Sequence, residues 1–382
     1  MALAKEAAHY KNNLVDDMQA IQRKHGVSLV KQLSDFMALR QAGTGMSFEE
    51  YIRYGLFKAP REAFNAYMGE NRMRAVFLLA NKLTSWDAAE DKLYYAQLVE
   101  GAGLPTPKVI ALAHETRRFA GAENLRNEAE IAAFLRAAPL PLFGKPVIAA
   151  HGNKTIKLVG REGDELIAGD GERNRISELA KDIFETSKDA GYLFQEVLTP
   201  HADVASLTGG RLGTARFMTF TTDAGPELKY CVLRLPAGEH YVDSYQRPGN
   251  LIAPIDIETG VLKSARRGAG VSTEEVDIHP DTNRQISGTR ISDFQKAKAI
   301  VLEATRIYPA LRLQSWDVAF TDRGPVLVEV NPGGNFMILQ MANGRGVFDA
   351  DFRKFLEECL KANPSARANQ KAFKEAKKLL QL

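Results

Sequence analysis

The chain has 382 residues, enough for two or three domains, and its 45% hydrophobic and 25% charged residues are typical of a soluble globular protein. Its 50 basic and 47 acidic residues leave a net charge of +3, which excludes the strongly charged signature of a nucleic-acid-binding or membrane-surface protein. The two cysteines, Cys231 and Cys359, lie far apart without metal-ligand spacing. We therefore expect neither a disulfide framework nor a zinc site, and a cytoplasmic location.

Residues 1–87 are predicted to be helical. Ser47 and Glu50 have the spacing of a capping box at a helix start. Apolar residues recur at spacings of three and four, as on one helix face, at Leu29, Val30, Leu33, Phe36 and Met37. The chain start has no signal-peptide pattern, and no run of about 18 apolar residues occurs, so we expect no membrane span. The region is either a helical bundle that forms a docking layer or a partner-binding domain.

Between residues 88 and 194, helices alternate with strands. A helix begins at Lys92, further helices are predicted at 127–137 and 175–190, and strands at 108–112, 143–149 and 155–159. From residue 192 the chain is rich in strands, predicted at 193–198, 211–221, 228–235 and 251–257. A helix at 292–308 precedes a final hairpin, and helices at 348–361 and 368–380 end the chain. The last helix is basic, which indicates either a solvated face or an anionic partner.

Several residues in these strands and turns are candidates for binding an anion. Lys145 stands mid-strand between Gly144 and Pro146, although lysine is a poor strand residue, and a lysine held in a cleft suits a phosphate. The turn that follows is either a plain hairpin turn or a small phosphate-covering loop, with Gly152, Asn153, Lys154 and Thr155. Arg216 and Arg234 are strand arginines that would pair with an anion or with a structural carboxylate.

The hairpin at 315–331 carries the strongest chemical signal. Because strand side chains alternate, Leu327, Glu329 and Asn331 are expected on one face. The tight turn at 322–324 would fold the other strand back and place Asp317 opposite Glu329. Two carboxylates and an amide oxygen suit Mg²⁺, which completes its coordination with phosphate oxygens and water. The alternative is an exposed strand end with three ordinary polar residues.

A polar segment between the strands is a candidate acceptor site. Its residues suit an anionic or hydroxylated substrate, unless they only build a structured loop: Arg234, Tyr241, Asp243, Arg247 and Asn250. The turn after Asn331 contains Gly333 and Gly334, whose backbone N–H groups would face an acceptor carboxylate.

The order of these motifs resembles the ATP-grasp superfamily, and most closely its sugar-transfer-associated branch, over about residues 88–345. The branch also shows runs like those at 242–251, 255–260 and 279–282. The resemblance implies an α+β, ATP-grasp fold in which two α+β lobes clasp ATP, preceded here by a helical region. The corresponding divisions are 1–87, the N-lobe at 88–194, the C-lobe at 195–347 and the C-terminal helices at 348–382.

The resemblance also implies roles for single residues. Lys92 and Lys145 would contact phosphates, and residues 152–155 would cover them. The adenine would be read by Gln195 and the backbone of Glu196, Val197 and Leu198, with Asp203 at the ribose. Arg216 or Arg234 would steady the transferring phosphoryl group, while Mg²⁺ would be held by Asp317, Glu329 and Asn331. The chain departs from the pattern at Ser315, where some ligases have an arginine, and at Gln314-Ser315, where the branch often has a glycine.

The activity expected from the resemblance is an ATP- and Mg²⁺-dependent carboxylate–amine ligase that works through an acylphosphate. Its partners would be a small-molecule carboxylate and an amine, such as an amino acid or a sugar acid linked to glycan assembly, and no nucleic acid. A small-molecule kinase is the first alternative, with His240, Asp243 or His279 as its general base. A non-catalytic nucleotide-binding module is the second. The sequence leaves the oligomeric state open.

Overall fold

The computed structural model describes residues 14–149, 154–238, 243, 245, 249–362, 374 and 377. The helices are α1 (Leu14–His25), α2 (Leu29–Gln41), α3 (Phe48–Arg53), α4 (Glu70–Ala80), α5 (Asp87–Glu90), α6 (Lys92–Gly101), α7 (Glu128–Ala137), α8 (Ile176–Ser187), α9 (Ala202–Thr208), α10 (Phe294–Thr305), α11 (Phe336–Asn343) and α12 (Ala350–Ala362). The strands are β1 (Val109–Ala113), β2 (Glu123–Leu125), β3 (Leu142–Pro146), β4 (Ile156–Glu162), β5 (Glu165–Ala168), β6 (Arg173–Arg175), β7 (Tyr192–Glu196), β8 (Thr214–Thr222), β9 (Gly225–Leu235), β10 (Leu251–Pro254), β11 (Ala265–Arg267), β12 (Glu274–Val276), β13 (Leu313–Thr321) and β14 (Gly324–Asn331).

The N-terminal region is helical from residue 14 onward, as predicted, and the capping box at the start of α3 is confirmed. The expected apolar face of α2 is not its packed face: Val30 is 77% exposed and Leu33 52%, whereas Gln32 and Asp35 are buried. The polar groups of the buried face find partners there. Asp35 accepts bonds from Lys31 and Arg61 at 2.7 and 2.8 Å. Satisfied polar groups can pack inside a protein, so apolar spacing alone did not identify the buried face.

The first sheet has the strand order β2-β1-β7-β3-β4-β5-β6 in the described part of the chain. Helices α7 and α8 cover one face with Ile131, Leu135, Leu179 and Ile183, which pack in one cluster with Phe194 of β7. Strand β3 lies at the centre of the sheet, and Lys145 pairs with Leu193 of β7, so the prediction that Lys145 lies on a strand is confirmed.

The second sheet has the order β12-β11-β10-β9-β8-β13-β14. Helix α10 packs on one face, where Phe294 and Val301 join Phe217 and Trp316 in a single cluster. Helices α4, α11 and α12 contribute to a second cluster that contains Phe220. The final hairpin is antiparallel and Asp317 lies opposite Glu329, so both predictions are confirmed.

The α+β class, with two sheets that each carry helices, is confirmed. The largest strand-boundary errors are three residues, as at β3, which ends at Pro146 rather than at 149, and at β4, which ends at Glu162 rather than at 159. Short elements were not predicted, among them β2, β5, β6, β11, β12, α9 and α11. The helix predicted at 368–380 lies outside the described residues, apart from Lys374 and Lys377. Across the described ranges, no helix is both long enough and apolar enough to cross a bilayer.

Candidate functional site

A cavity of about 710 Å³ lies between the two sheets. Strands β3, β4 and β7 of the first sheet form one wall, and β8, β9, β13 and β14 of the second sheet form the other. Residues at α5 and α6 close one side. Both the size and the mixture of apolar and charged side chains suit a bound small molecule.

Lys145 is a buried cation on the first wall. It is only 6% exposed, lines the cavity, and has no hydrogen-bond or ion-pair partner among the described residues. Burial, followed by the charge of Lys92, lowers the pKa of Lys145 to about 8, although Glu329 and Asp317 act in the opposite direction. A buried ammonium without a partner is costly, so this position favours an anionic ligand.

Lys92 joins Lys145 on the cavity wall, as the resemblance required. It is the first residue of α6, whose N-terminus is capped by the Asp91 carboxylate. The Lys92 Nζ donates to the carbonyl oxygen of Ala149 at 3.0 Å. The fold therefore gathers two lysines, 53 positions apart in the chain (145 − 92), at one end of the cavity.

The strand predicted to read adenine also reaches the cavity. Gln195, Glu196, Val197 and Leu198 all line it, and Gln195 is 4% exposed. The Glu196 carboxylate accepts bonds from the Lys108 N–H at 2.7 Å and from Arg323 Nη1 at 2.9 Å. Burial raises the pKa of Glu196, but the bond from Arg323 contributes to a net lowering. The side chain of Glu196 thus has a structural role, and its backbone N–H donates to the Lys108 carbonyl at 3.1 Å.

Lys157 was missed by the sequence reasoning. It lines the cavity from β4, opposite Phe143 of β3, and Phe143 in turn lies opposite Gln195 of β7. The predicted strand at 155–159 contained this lysine, so a search for charged residues on neighbouring strands would have found it.

Two predicted nucleotide contacts are not brought to the cavity wall. Lys154 directs its Nζ to Thr186 Oγ1 of α8 at 3.3 Å. Asp203 accepts a bond from the Ser292 N–H at 2.9 Å, because its place in the first turn of α9 faces that segment. Thr155 does line the cavity. Gly152 and Asn153 lie outside the described residues.

Asp317 is the most thoroughly paired carboxylate on the second wall. Arg216 of β8 lies opposite it and donates from Nε and Nη2, both at 2.8 Å. Arg234 donates from Nη2 at 2.9 Å. Burial alone would raise the pKa of Asp317, but the charges of Arg216 and Arg234 lower it by more. The resulting pKa lies well below the usual range of an aspartate. The two strand arginines therefore pair with a structural carboxylate, one of the two options that the sequence left open.

These ion pairs do not use every donor of the two arginines. The bonds to Asp317 and Thr214 involve only Nε and Nη2. Within the described ranges, Nη1 of Arg216 and Nη1 of Arg234 make no protein hydrogen bond, and both residues line the cavity. Each guanidinium can therefore still donate to a ligand.

A bulge changes the face pattern of β14. Asp317 pairs with Glu329, but the next residue, Val318, pairs with Leu327, so one residue of β14 is extra. The prediction that Leu327 shares a face with Glu329 is consequently wrong. Leu327 packs in the core cluster with Val330, whereas Glu329 and Asn331 line the cavity.

The hairpin residues fit a magnesium ion. Glu329 and Asn331 face the cavity half-buried, and the Asn331 Nδ2 points to Glu329 Oε1 at 3.5 Å, which leaves the Asn331 amide oxygen for a cation. Among the described residues, no group of three or more His, Cys, Asp or Glu side chains could form a complete metal cage. Glu329 and the Asn331 amide oxygen suit Mg²⁺, which takes its remaining ligands from phosphates and water. Asp317 lies opposite Glu329 and is the third candidate ligand, although its carboxylate already accepts bonds from two arginines.

The acceptor end is only partly described, since Tyr241, Arg247 and His240 lie outside the described residues. Asp243 lines the cavity and accepts bonds from the Thr214 N–H and hydroxyl at 2.8 and 2.6 Å. Asn250 is not on the cavity wall; it is buried and accepts a bond from the Ala237 N–H at 2.9 Å.

The glycine-rich turn also reaches this end. Gly333 and Gly334 line the cavity. His279, a possible base in the kinase alternative, is fully buried and does not line the cavity. One ring nitrogen of His279 contacts the Pro236 carbonyl at 3.2 Å, and the other accepts from the Asp281 N–H at 3.3 Å.

Among curated protein sequences, none matches the chain. A D-alanine–D-alanine ligase from Coxiella burnetii is 11% identical, with 78% of this chain and 64% of that chain covered and a TM-score of 0.42. A D-Ala:D-Ser ligase from Enterococcus faecalis is 16% identical, with 74% and 63% covered and a TM-score of 0.38.

A third solved structure, an ADP complex of N5-carboxyaminoimidazole ribonucleotide synthetase, is 10% identical, with 65% and 46% covered and a TM-score of 0.37. The chain spans 46% to 64% of the length of these three solved chains. The family model described as sugar-transfer associated ATP-grasp matches residues 72–354. Because that match covers most of the sequence, the chain belongs to the sugar-transfer associated ATP-grasp family and has the ATP-grasp fold.

Proposed function

We propose that this protein is an ATP- and Mg²⁺-dependent ligase that joins a small-molecule carboxylate to an amine through an acylphosphate. The observation that carries the proposal is the pair of opposed walls of the cavity. Lys145, buried and without a partner among the described residues, lies on one wall, and Glu329 with Asn331 lies on the other. The negative charge of a triphosphate would neutralise Lys145, and the cation bound to the triphosphate would neutralise Glu329.

The nucleotide would lie with its base beside Gln195 and its phosphates beside the two lysines. Phe143 and Val197 supply apolar surface next to Gln195, while the backbone of 197 and 198 would supply hydrogen bonds. Lys145 and Lys92 would each act as a point charge on phosphate oxygens. This arrangement directs the γ-phosphate toward the acceptor end, where Arg234 and Asp243 lie.

The reaction would proceed in two balanced steps. A substrate carboxylate oxygen forms a bond to the γ-phosphorus while the bond to the bridging oxygen breaks, which yields ADP and an acylphosphate. The amine nitrogen then bonds to the acyl carbon, phosphate leaves with the electrons of the broken C–O bond, and the amine loses a proton to solvent. Mg²⁺ held by Glu329, Asn331 and Asp317 would offset the negative charge of the phosphates.

Arg216 and Arg234 would stabilise the transferring phosphoryl group with guanidinium groups that are held in fixed positions before the reaction. Asp317 fixes the guanidinium planes of Arg216 and Arg234, so Nη1 of each points from a rigid support. Fixed donors stabilise developing charge without reorganising during the reaction. We assign them to the transferring phosphoryl group, as the resemblance implied.

A kinase on the same site is the main rival. Its general base would have to be Asp243 or the undescribed His240, since His279 is buried away from the cavity. The Oδ2 atom of Asp243 already accepts two bonds from Thr214 and lies 3.5 Å from Arg234 Nε, so the protein itself engages this oxygen. The ligase is therefore the better-supported function.

Product analysis distinguishes the ligase, the kinase and a binding module. The full chain would be incubated with Mg-ATP and with pairs drawn from amino acids and sugar acids, the second class being suggested by the family description. The ligase predicts acid-dependent formation of ADP and free phosphate in equal amounts, together with an amide detected by mass spectrometry. Phosphate retained on an acceptor would favour the kinase. ATP binding without turnover for any pair would contradict both enzymes.

A further inference from the structure

The helical N-terminal layer touches the catalytic hairpin through one buried side chain. Asn81 follows α4 and is only 1% exposed. Its Nδ2 donates to the carbonyl oxygens of Leu313, at 2.8 Å, and of Pro332. Its Oδ1 accepts from the Leu313 N–H at 2.9 Å. A single amide thus joins the layer to the start of β13 and to the residue after β14.

The Asn81 side-chain amide lies at the end of the β13–β14 ladder. The last pair of the β13–β14 ladder joins Ser315 and Asn331, and Leu313 lies two residues beyond that pair. Asn81 bonds to both backbone groups of Leu313, as a continuing strand would. Its second donor bond holds the Pro332 carbonyl where the chain leaves the sheet. The amide therefore substitutes for the strand at the point where the chain turns toward the cavity.

The turn after Pro332 is confined on both sides. A Cβ at Gly333 would lie 3.6 Å from Phe77 and Trp86 of the N-terminal layer. A Cβ at Gly334 would approach Met218 and Leu313 to 2.8 and 2.9 Å. Gly333, Gly334 and Trp86 all line the cavity. The close packing leaves little room for the turn to shift while Asn81 holds its first carbonyl.

We infer that Asn81 is a positioning residue for the magnesium end of the site and for the glycine-rich turn. It holds the carbonyl of Pro332, the residue after Asn331, and so fixes where the Asn331 amide oxygen and the Gly333–Gly334 backbone face the cavity. The N-terminal layer is then a part of the catalytic unit rather than a separate partner-binding domain. This inference rests on the proposed function of Asn331.

A matched control lies on the same strand. Gln314 is fully buried, and its Nε2 donates to the carbonyls of Thr305, Tyr308 and Leu311 at 2.9, 3.0 and 2.8 Å. It does not line the cavity. Gln314→Ala therefore removes a comparable set of buried hydrogen bonds next to Leu313 without freeing the Pro332 carbonyl.

Two measurements on the full chain test the inference. The first is calorimetric titration with ATP over a range of Mg²⁺ concentrations. Loss of a group that bonds directly to a metal ligand typically weakens metal binding by about 10- to 100-fold. Asn81 acts through the residue after Asn331, so Asn81→Ala should raise the half-saturating Mg²⁺ concentration by about tenfold, the lower end of that range. Gln314→Ala should leave it unchanged. The second is amide hydrogen exchange without ligand, which should accelerate at 333–335 in Asn81→Ala only.

Each outcome decides a different point. An unchanged Mg²⁺ dependence in folded Asn81→Ala, or an equal shift in Gln314→Ala, would overturn the inference while leaving the proposed function in place. If Asn81→Ala does not fold, the milder Asn81→Ser, which keeps one donor, takes its place in both measurements. If the wild-type chain shows no Mg²⁺-dependent ATP binding, the proposed function fails, and the exchange data still show whether Asn81 holds the turn.

Discussion

The two walls of the cavity handle buried charge in opposite ways. On the first wall, Lys145 is buried and has no protein partner among the described residues, which lowers its pKa to about 8. On the second wall, Asp317 is equally buried but accepts bonds from two arginines, which lower its pKa. An uncompensated charge marks a place that a ligand must complete, whereas a compensated charge marks a rigid support. Lys145 is therefore available to bind a ligand, whereas Asp317 holds Arg216 and Arg234 in position.

The largest expected effect is on turnover in Glu329→Gln. Glu329 faces the cavity and has no ion-pair partner in the described part of the chain, so its charge is available for a cation. Removing the charge should lower Mg-ATP turnover by about 100-fold or more while leaving the fold intact. Phosphate release at saturating Mg²⁺ measures this, with Glu274→Gln on the distant strand β12 as the control. Turnover close to the wild-type value would remove Glu329 from the metal site.

The second largest effect is a loss of folding stability when the buried carboxylate of the second wall is removed. Asp317→Asn leaves Arg216 and Arg234 buried without their carboxylate, which should destabilise the fold by about 3–5 kcal/mol. Urea unfolding monitored by circular dichroism gives this value. Asp281→Asn, which disturbs a more exposed pair with Arg211, should cost far less. Comparable losses in the two variants would contradict the distinction drawn between the walls.

Lys145→Met should change stability in the opposite direction. At pH 7 the lowered pKa of Lys145 means that its charge disfavours folding, so the variant should gain about 2–3 kcal/mol. ATP affinity should fall in the same protein, because the phosphate loses its buried cation. Unfolding and ATP titration are measured on one preparation. If Lys145→Met is less stable than the wild-type chain and binds ATP as tightly, Lys145 is not the buried cation that binds the phosphates.

A smaller effect is expected on the pH dependence of ATP affinity, which should decrease as the pH rises. Protonated Lys145 binds phosphate, and phosphate raises its pKa above the value of about 8 in the free protein. Affinity should be flat below that pH and fall above it, by up to about tenfold per pH unit. Lys145→Arg, whose guanidinium stays charged, should bind ATP without this decline. A decline that persists in Lys145→Arg would assign the titration to another group.

The smallest effect is expected at Lys154. Its Nζ contacts Thr186 on α8 rather than the cavity, so Lys154→Ala should leave ATP affinity unchanged. Lys157→Ala, on the cavity wall, should weaken it measurably. The same calorimetric titration serves for both. A larger loss in Lys154→Ala than in Lys157→Ala would restore the phosphate contact that the sequence suggested.

The sequence predicted the parts of this site that depend on local pattern. The register of Asp317 with Glu329 followed from a tight turn and strand alternation, and the strand position of Lys145 followed from its flanking residues. The bulge in β14 was not predictable, because the insertion of one residue is set by pairing with β13. The Arg216–Asp317 pair and the Asn81 contacts join residues 101 and more than 200 positions apart, and no local pattern encodes such contacts.

The central claim is that the cavity binds ATP through a cation held by the hairpin. Calorimetric titration of the full chain with ATP, in Mg²⁺ and again after chelation with EDTA, tests it most directly. The account predicts one ATP per chain with Mg²⁺, and strongly weakened binding after chelation or in Glu329→Gln. ATP binding that is absent, or that is equally tight in EDTA, would contradict it.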